Sequence, residues 1–118
     1  MAKIDRKRVL DKIEVIQNSL DKLETLSCMS ESDFIMDFKN FDSAKYNLQI
    51  AIEAMIDAGN HIISRKGYGS PKTYSDVFEI LQDNGAIPEN DAKTYKLMAR
   101  FRNRIVHFYD EVDDKEVY

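Results

Sequence analysis

Residues 5–26 read DRKRVLDKIEVIQNSLDKLETL, and Val9, Ile13, Ile16, Leu20 and Leu23 recur through them at spacings that alternate between four and three. Apolar residues at that period fall on one stripe of an α-helix, with charged residues over the rest of its surface. The spacing predicts a helix from about Asp5 to Leu26. Ser27 to Ser32 reads as a turn, and Ser30, Glu31, Ser32 and Asp33 offer caps for the next segment.

A second long helix is expected to carry Phe34, Phe38, Phe41, Ala44, Leu48, Ala51, Met55 and Ile62, with a break near Lys39-Asn40. Its end is marked by Ser64-Arg65-Lys66-Gly67, where basic residues precede a glycine just past the last turn. Gly67-Tyr68-Gly69-Ser70-Pro71 is the clear loop. Thr73 is placed to cap a short third helix through Val77, Phe78 and Leu81, stopped by Asn84-Gly85. Ile87-Pro88 leads into a fourth helix to about Tyr109, and Asp113 to Tyr118 adds a last turn. No segment keeps a period of two, so no strand is expected. Short connections favour antiparallel neighbours, which predicts an all-α, up-and-down bundle of four main helices plus a short terminal segment, one domain over residues 1–118.

Composition narrows the class. The single cysteine, Cys28, excludes an intramolecular disulfide and any cysteine metal cluster. The first residues carry charge without an apolar run behind them, unlike a signal peptide, and no run approaches the ~20 apolar residues of a membrane span. The expected setting is the reducing cytoplasm, with no membrane partner. Net charge is −4, yet Lys93, Lys96, Arg100, Arg102 and Arg104 crowd one segment whose one acid is Asp91. Such a local stripe matters more to a phosphate backbone than the overall sum.

On the fourth helix, Met98, Phe101, Ile105, Phe108 and Val112 step at three and four and are expected to face the core. At about 100° per residue, a second sector holds Tyr95, Ala99, Arg102, Asn103, Val106, His107, Tyr109 and Asp110. Its mixture of small, apolar, Arg and Tyr residues reads as a contact surface. With a chain this short having little core to spare, it predicts a homodimer that buries this helix. Arg102 and His107 project about 140° apart and flank the sector. Two copies around a two-fold axis would gather both pairs at one cleft, where histidine moves protons and arginine clamps a phosphate.

Arg102-Asn103-Arg104-Ile105-Val106-His107-Phe108-Tyr109 also resembles the Arg-x4-His signature of HEPN domains, closest to the HepT-like branch. Ala51-Ile52-Glu53-Ala54-Met55-Ile56-Asp57, His61-Ile62-Ile63, Gly69-Ser70-Pro71-Lys72-Thr73-Tyr74 and the tail Tyr109-Asp110-Glu111-Val112-Asp113 with Val117-Tyr118 resemble it too. The resemblance spans nearly the whole chain. It implies a toxin of a toxin–antitoxin pair, a dimeric endoribonuclease that needs no metal or cofactor and cuts tRNA or mRNA. By position, Arg102 and His107 would be the catalytic pair and Asn103 their polar support. Tyr109 would be the residue that an MNT-type nucleotidyltransferase antitoxin modifies with AMP, placing negative charge beside Arg102. The competing reading is a non-catalytic helical dimer that binds nucleotides or serves as partner to a nucleotidyltransferase.

Other residues invite weaker readings. Glu53, Asp57 and His61 follow one another at four-residue steps and could present two oxygens and an imidazole to a divalent metal; the favoured reading is a polar face meeting the fourth helix, with Asp57 or Glu53 paired to Arg102. Cys28 has no histidine nearby in sequence to activate it. Tyr68, Tyr74, Tyr95 and Tyr109 could stack on bases or pack in an interface.

Overall fold

The computed structural model describes residues 3–118, with the side chain of Tyr109 excepted. Six helices follow in order: α1 Arg6–Ser27, α2 Glu31–Met36, α3 Phe38–Lys66, α4 Tyr74–Asp83, α5 Glu89–His107 and α6 Asp114–Val117, with a 3-10 turn at Tyr109–Glu111 between the last two. There is no strand among the described residues. None of these helices is long and apolar enough to cross a membrane.

Local chemistry sets the boundaries. The Asp5 carboxylate accepts the Arg8 N–H and caps α1. The expected long second helix is divided at Asp37, not near Lys39-Asn40. Asp37 is extended (φ −122°, ψ 115°), and its carboxylate accepts the Lys39 N–H at 2.9 Å, so it starts α3 as a cap. Gly67 closes α3 in the left-handed region at φ 67°, which costs glycine nothing. Thr73 and Asp76 form a reciprocal capping box on α4. α5 stops at His107, where Phe108 leaves helical geometry at φ −134°, two residues short of the expected end.

α1 lies antiparallel to α3: Asp5 meets His61, Lys12 meets Asp57, and Leu23 and Leu26 share a cavity with Ala44 and Leu48. Val9, Ile16 and Leu23 turn inward with Lys12 and the buried Ser19, but Ile13 and Leu20 are exposed. The expected stripe was too wide, because α1 packs mainly on one helix and that seam is narrow. The main core joins Ile52, Ile56 and Ile63 of α3 to Val77, Phe78 and Leu81 of α4 and Ala99 of α5.

α4 crosses α3 closely at the buried Gly59. A Cβ there would lie 2.6 Å from Val77 Cγ1 and 3.2 Å from Leu81 Cδ1. On α5 two expectations reverse. Ala99 is fully buried and Tyr95 packs on Phe78 (centroids 5.4 Å apart), so these residues belong to the internal core and not to a free contact surface. Phe108, expected in the core, is 56% exposed, because the helix that would have aimed it inward has already ended. Ile105 and Val112 are buried as expected.

Candidate active site

Where the end of α5 passes the start of α4, a shallow groove of about 480 Å³ is lined by Lys72, Thr73, Tyr74, Arg102, Asn103, His107 and Phe108. All three residues of the Arg-x4-His signature therefore line one groove within a single chain. Its other wall is the loop before α4 and the first residue of that helix, through Lys72, Thr73 and Tyr74.

Arg102 is the most constrained of them. Its side chain is 13% exposed, and Nη2 lies 3.5 Å from Glu53 Oε1 on α3. Nη1 donates to Asn103 Oδ1 at 3.2 Å. The Tyr74 ring stands 4.9 Å from its Cζ, a cation–π contact. Glu53 is itself held, since Gln49 Nε2 donates to the same Oε1 at 2.8 Å. One Arg102 donor, Nε, is buried with no acceptor among the described residues. Leaving such a donor unmade costs about 1–3 kcal/mol, so the arginine is fixed by its surroundings and not by complete satisfaction of its own hydrogen bonds. His107 is exposed at the last position of α5, free to meet a ligand.

The loop before α4 is held in place by its capping box. The Lys72 N–H, the Thr73 hydroxyl and the Thr73 N–H hold the Asp76 carboxyl below the usual carboxylate range. That arrangement sets Lys72 and Tyr74 against the groove. Lys72 did not stand out in the sequence beyond its place in the loop resemblance, and Tyr74 did so only as one of four tyrosines that could stack on bases or pack in an interface; only the crossing of α4 over α3 brings them to Arg102.

The basic stripe of α5 is largely neutralised at home. Arg102 pairs with Glu53, Lys96 with Glu79, and Arg104 with Glu116. Of the proposed metal triad, Glu53 serves Arg102, Asp57 pairs with Lys12 at 3.2 Å, and His61 accepts the Asp5 N–H. Those three side chains thus go to three different partners, and no cluster of three metal-type side chains occurs among the described residues. Cys28 is exposed and free. Tyr109 begins the 3-10 turn directly after His107-Phe108, and its side chain lies outside the described residues.

The family model described as HepT-like, ribonuclease HepT-like, matches residues 16–118. The chain belongs to the HepT-like ribonuclease family. It is 32% identical over 105 residues to the mRNA nuclease HepT of Shewanella oneidensis, covering 89% of this chain and 78% of that one. It is 28% identical over 118 residues to the tRNA nuclease HepT of Aphanizomenon flos-aquae, covering 100% and 80%. Among solved structures, the tri-AMPylated HEPN toxin of Shewanella oneidensis in complex with MNT antitoxin superposes with a TM-score of 0.85 at 32% identity, over 93% of this chain and 82% of that one. A toxin–antitoxin complex with AMP-PNP gives 0.87 at 30% identity, over 95% and 84%. The all-helical fold expected from the sequence is thus that of HepT-like toxins.

Proposed function

We propose that this HepT-like chain is the toxin of a toxin–antitoxin pair, an endoribonuclease that cuts RNA with Arg102 and His107. The observation that carries the reading is the shared groove, with Arg102 held there by Glu53, Asn103 and Tyr74. His107 takes the proton of a ribose 2′-hydroxyl as that oxygen attacks phosphorus; the bond to the 5′-oxygen breaks, and that oxygen receives a proton in turn. Arg102 faces the phosphate and stabilises the charge that builds on its oxygens. Asn103 orients the arginine. The reaction needs no metal. Its RNA is a tRNA or an mRNA, the substrates named for the two curated relatives.

A homodimer brings two such grooves around one axis. With Tyr95 and Ala99 committed to the internal core, the dimer rests on the end of α5, where Val106 is half-buried and Phe108 exposed. The partner that silences the toxin is an MNT-type nucleotidyltransferase, which places AMP on Tyr109. The complex and modification named for the Shewanella oneidensis toxin support that reading.

The test is RNA cleavage in EDTA by the parent chain, Arg102→Ala and His107→Ala. Both variants should lose cleavage while keeping parental helicity. Full activity in either one sinks its catalytic role. A parent that elutes as a monomer at micromolar concentration rejects the two-groove cleft, and AMP found by mass spectrometry on a residue other than Tyr109 rejects that switch.

A further inference from the structure

Where the start of α1 crosses the last turns of α3, a second polar hollow of about 270 Å³ is lined by Arg8, Asn60, His61, Ser64 and Arg65. It shares no lining residue with the candidate active site. His61 is 95% buried, being 5% exposed. The Asp5 backbone N–H donates to its Nε2 at 2.9 Å. An amide nitrogen only donates here, so Nε2 accepts, and Nδ1 is left as the ring nitrogen that can donate. Nδ1 makes no hydrogen bond among the described residues. Among the described residues the buried side-chain atom left without a partner is Arg102 Nε, so Nδ1 of His61 is reachable from the hollow it helps to line.

The surroundings say what would partner it. Asn60 and Ser64, and likewise His61 and Arg65, are four residues apart and form two adjacent columns on α3. Arg8 closes the hollow from α1. Neither Arg8 nor Arg65 has a carboxylate within ion-pair distance among the described residues, whereas Arg102 and Arg104 each have a glutamate. Asp5 turns its carboxylate onto the Arg8 N–H as a helix cap. Two guanidinium forks, an imidazole N–H, a hydroxyl and a side-chain amide therefore meet with no anion among them. Guanidinium forks match tetrahedral oxyanions with paired hydrogen bonds.

We propose that this hollow binds a phosphate group, and that during RNA cleavage it takes a backbone phosphate outside the bond being cut. The second clause rests on the ribonuclease reading. His61 lies eight residues beyond Glu53, about 12 Å further along α3 at 1.5 Å per residue, within the span of a short single strand. A free phosphate would offer the same chemistry, so the two sources need separate probes.

The experiment uses the full chain with His107→Ala to prevent cutting, and the same chain with Arg8→Met or Arg65→Met added. Pyrophosphate, against chloride at equal ionic strength, should shift the His61 imidazole resonances and raise the melting temperature, and either arginine variant should abolish both effects. A fluorescent single-stranded RNA should bind each arginine variant roughly tenfold more weakly, as expected for one lost charge-assisted contact. Weaker RNA binding establishes the backbone source. Pyrophosphate effects with unchanged RNA affinity overturn that source and assign the hollow to a free phosphate. If neither probe senses Arg8 or Arg65, the site is overturned. If instead the uncut parent shows the pyrophosphate effects but never cleaves RNA, the ribonuclease reading fails and the phosphate site stands.

Discussion

Gly59→Ala tests how tightly α4 is pressed on α3, and with it the placement of the loop that walls the groove. The new Cβ would meet Val77 Cγ1 at 2.6 Å, whereas carbon atoms rest at about 3.5–4.0 Å. The gap must therefore open by about 1 Å. Val77 is buried and β-branched, with one strongly preferred rotamer in a helix, so α4 itself has to move. Overpacking of this kind costs about 1–3 kcal/mol. Alanine in a helix interior returns about 1 kcal/mol relative to glycine. The net expectation is a destabilisation of about 0–2 kcal/mol, read from urea unfolding followed by circular dichroism at unchanged m. Without the clash the same substitution would stabilise by about 1 kcal/mol, so the sign discriminates. In a Val77→Ala background the clashing methyl is gone, and Gly59→Ala should then turn stabilising. A single variant more stable than the parent, or no coupling with Val77, would refute the close crossing. Because the shift carries Tyr74 and Lys72 with it, RNA cleavage should fall by more than the unfolded fraction explains.

Two acids one turn apart on α3 should behave differently. Glu53→Gln strips the charge partner from a largely buried arginine, and the pair is close to the surface, so about 1–2 kcal/mol of stability should be lost along with much of the RNA cleavage. Asp57→Asn touches only the half-exposed Lys12 pair and should cost under about 1 kcal/mol with cleavage intact; equal losses would dissolve the distinction. The depressed Asp76 carboxyl predicts a pH signature. Its stabilising contribution is present above the unfolded pKa and is lost as pH falls through the lower folded value. The melting-temperature gap between parent and Asp76→Asn should therefore be full at neutral pH and close under strong acid, and a pH-independent gap would contradict it.

The sequence and the structure agree where the signal is local. Gly67, Thr73 and Asn84-Gly85 stop and start helices by chemistry within a few residues of themselves. Asp37 is such a signal too, but the Phe34, Phe38, Phe41 periodicity running across it draws the eye past the cap. Ala99, expected at a contact surface and found in the core, was misread for a different reason. A small residue suits both an interface and a close internal helix crossing, and its place in the core cluster with residues of α3 and α4 depends on how those helices pack. The candidate site divides along the same line. Arg102, Asn103 and His107 stand in one motif and could be named from it. The identity of Arg102's ionic partner, Glu53 or Asp57, was settled only by the rotation of α3, and Tyr74 under its guanidinium only by the packing of α4.

The Glu53–Arg102 pair has a consequence for ionic strength. Affinity for single-stranded RNA falls with salt at about 0.7 logarithmic units per decade for each phosphate that a protein cation neutralises, because that phosphate gives up its condensed counterion. Arg102 arrives already neutralised by Glu53, so a phosphate docking there gains donors while little net positive charge reaches the strand. On the proposed reading, counterions would be freed chiefly by groups with no carboxylate within ion-pair distance, Lys72 among the described residues of the groove. Removing the glutamate's charge should steepen the salt slope even as it loosens the site. An arginine escorted by its own carboxylate recognises a phosphate by direction and shape more than by charge.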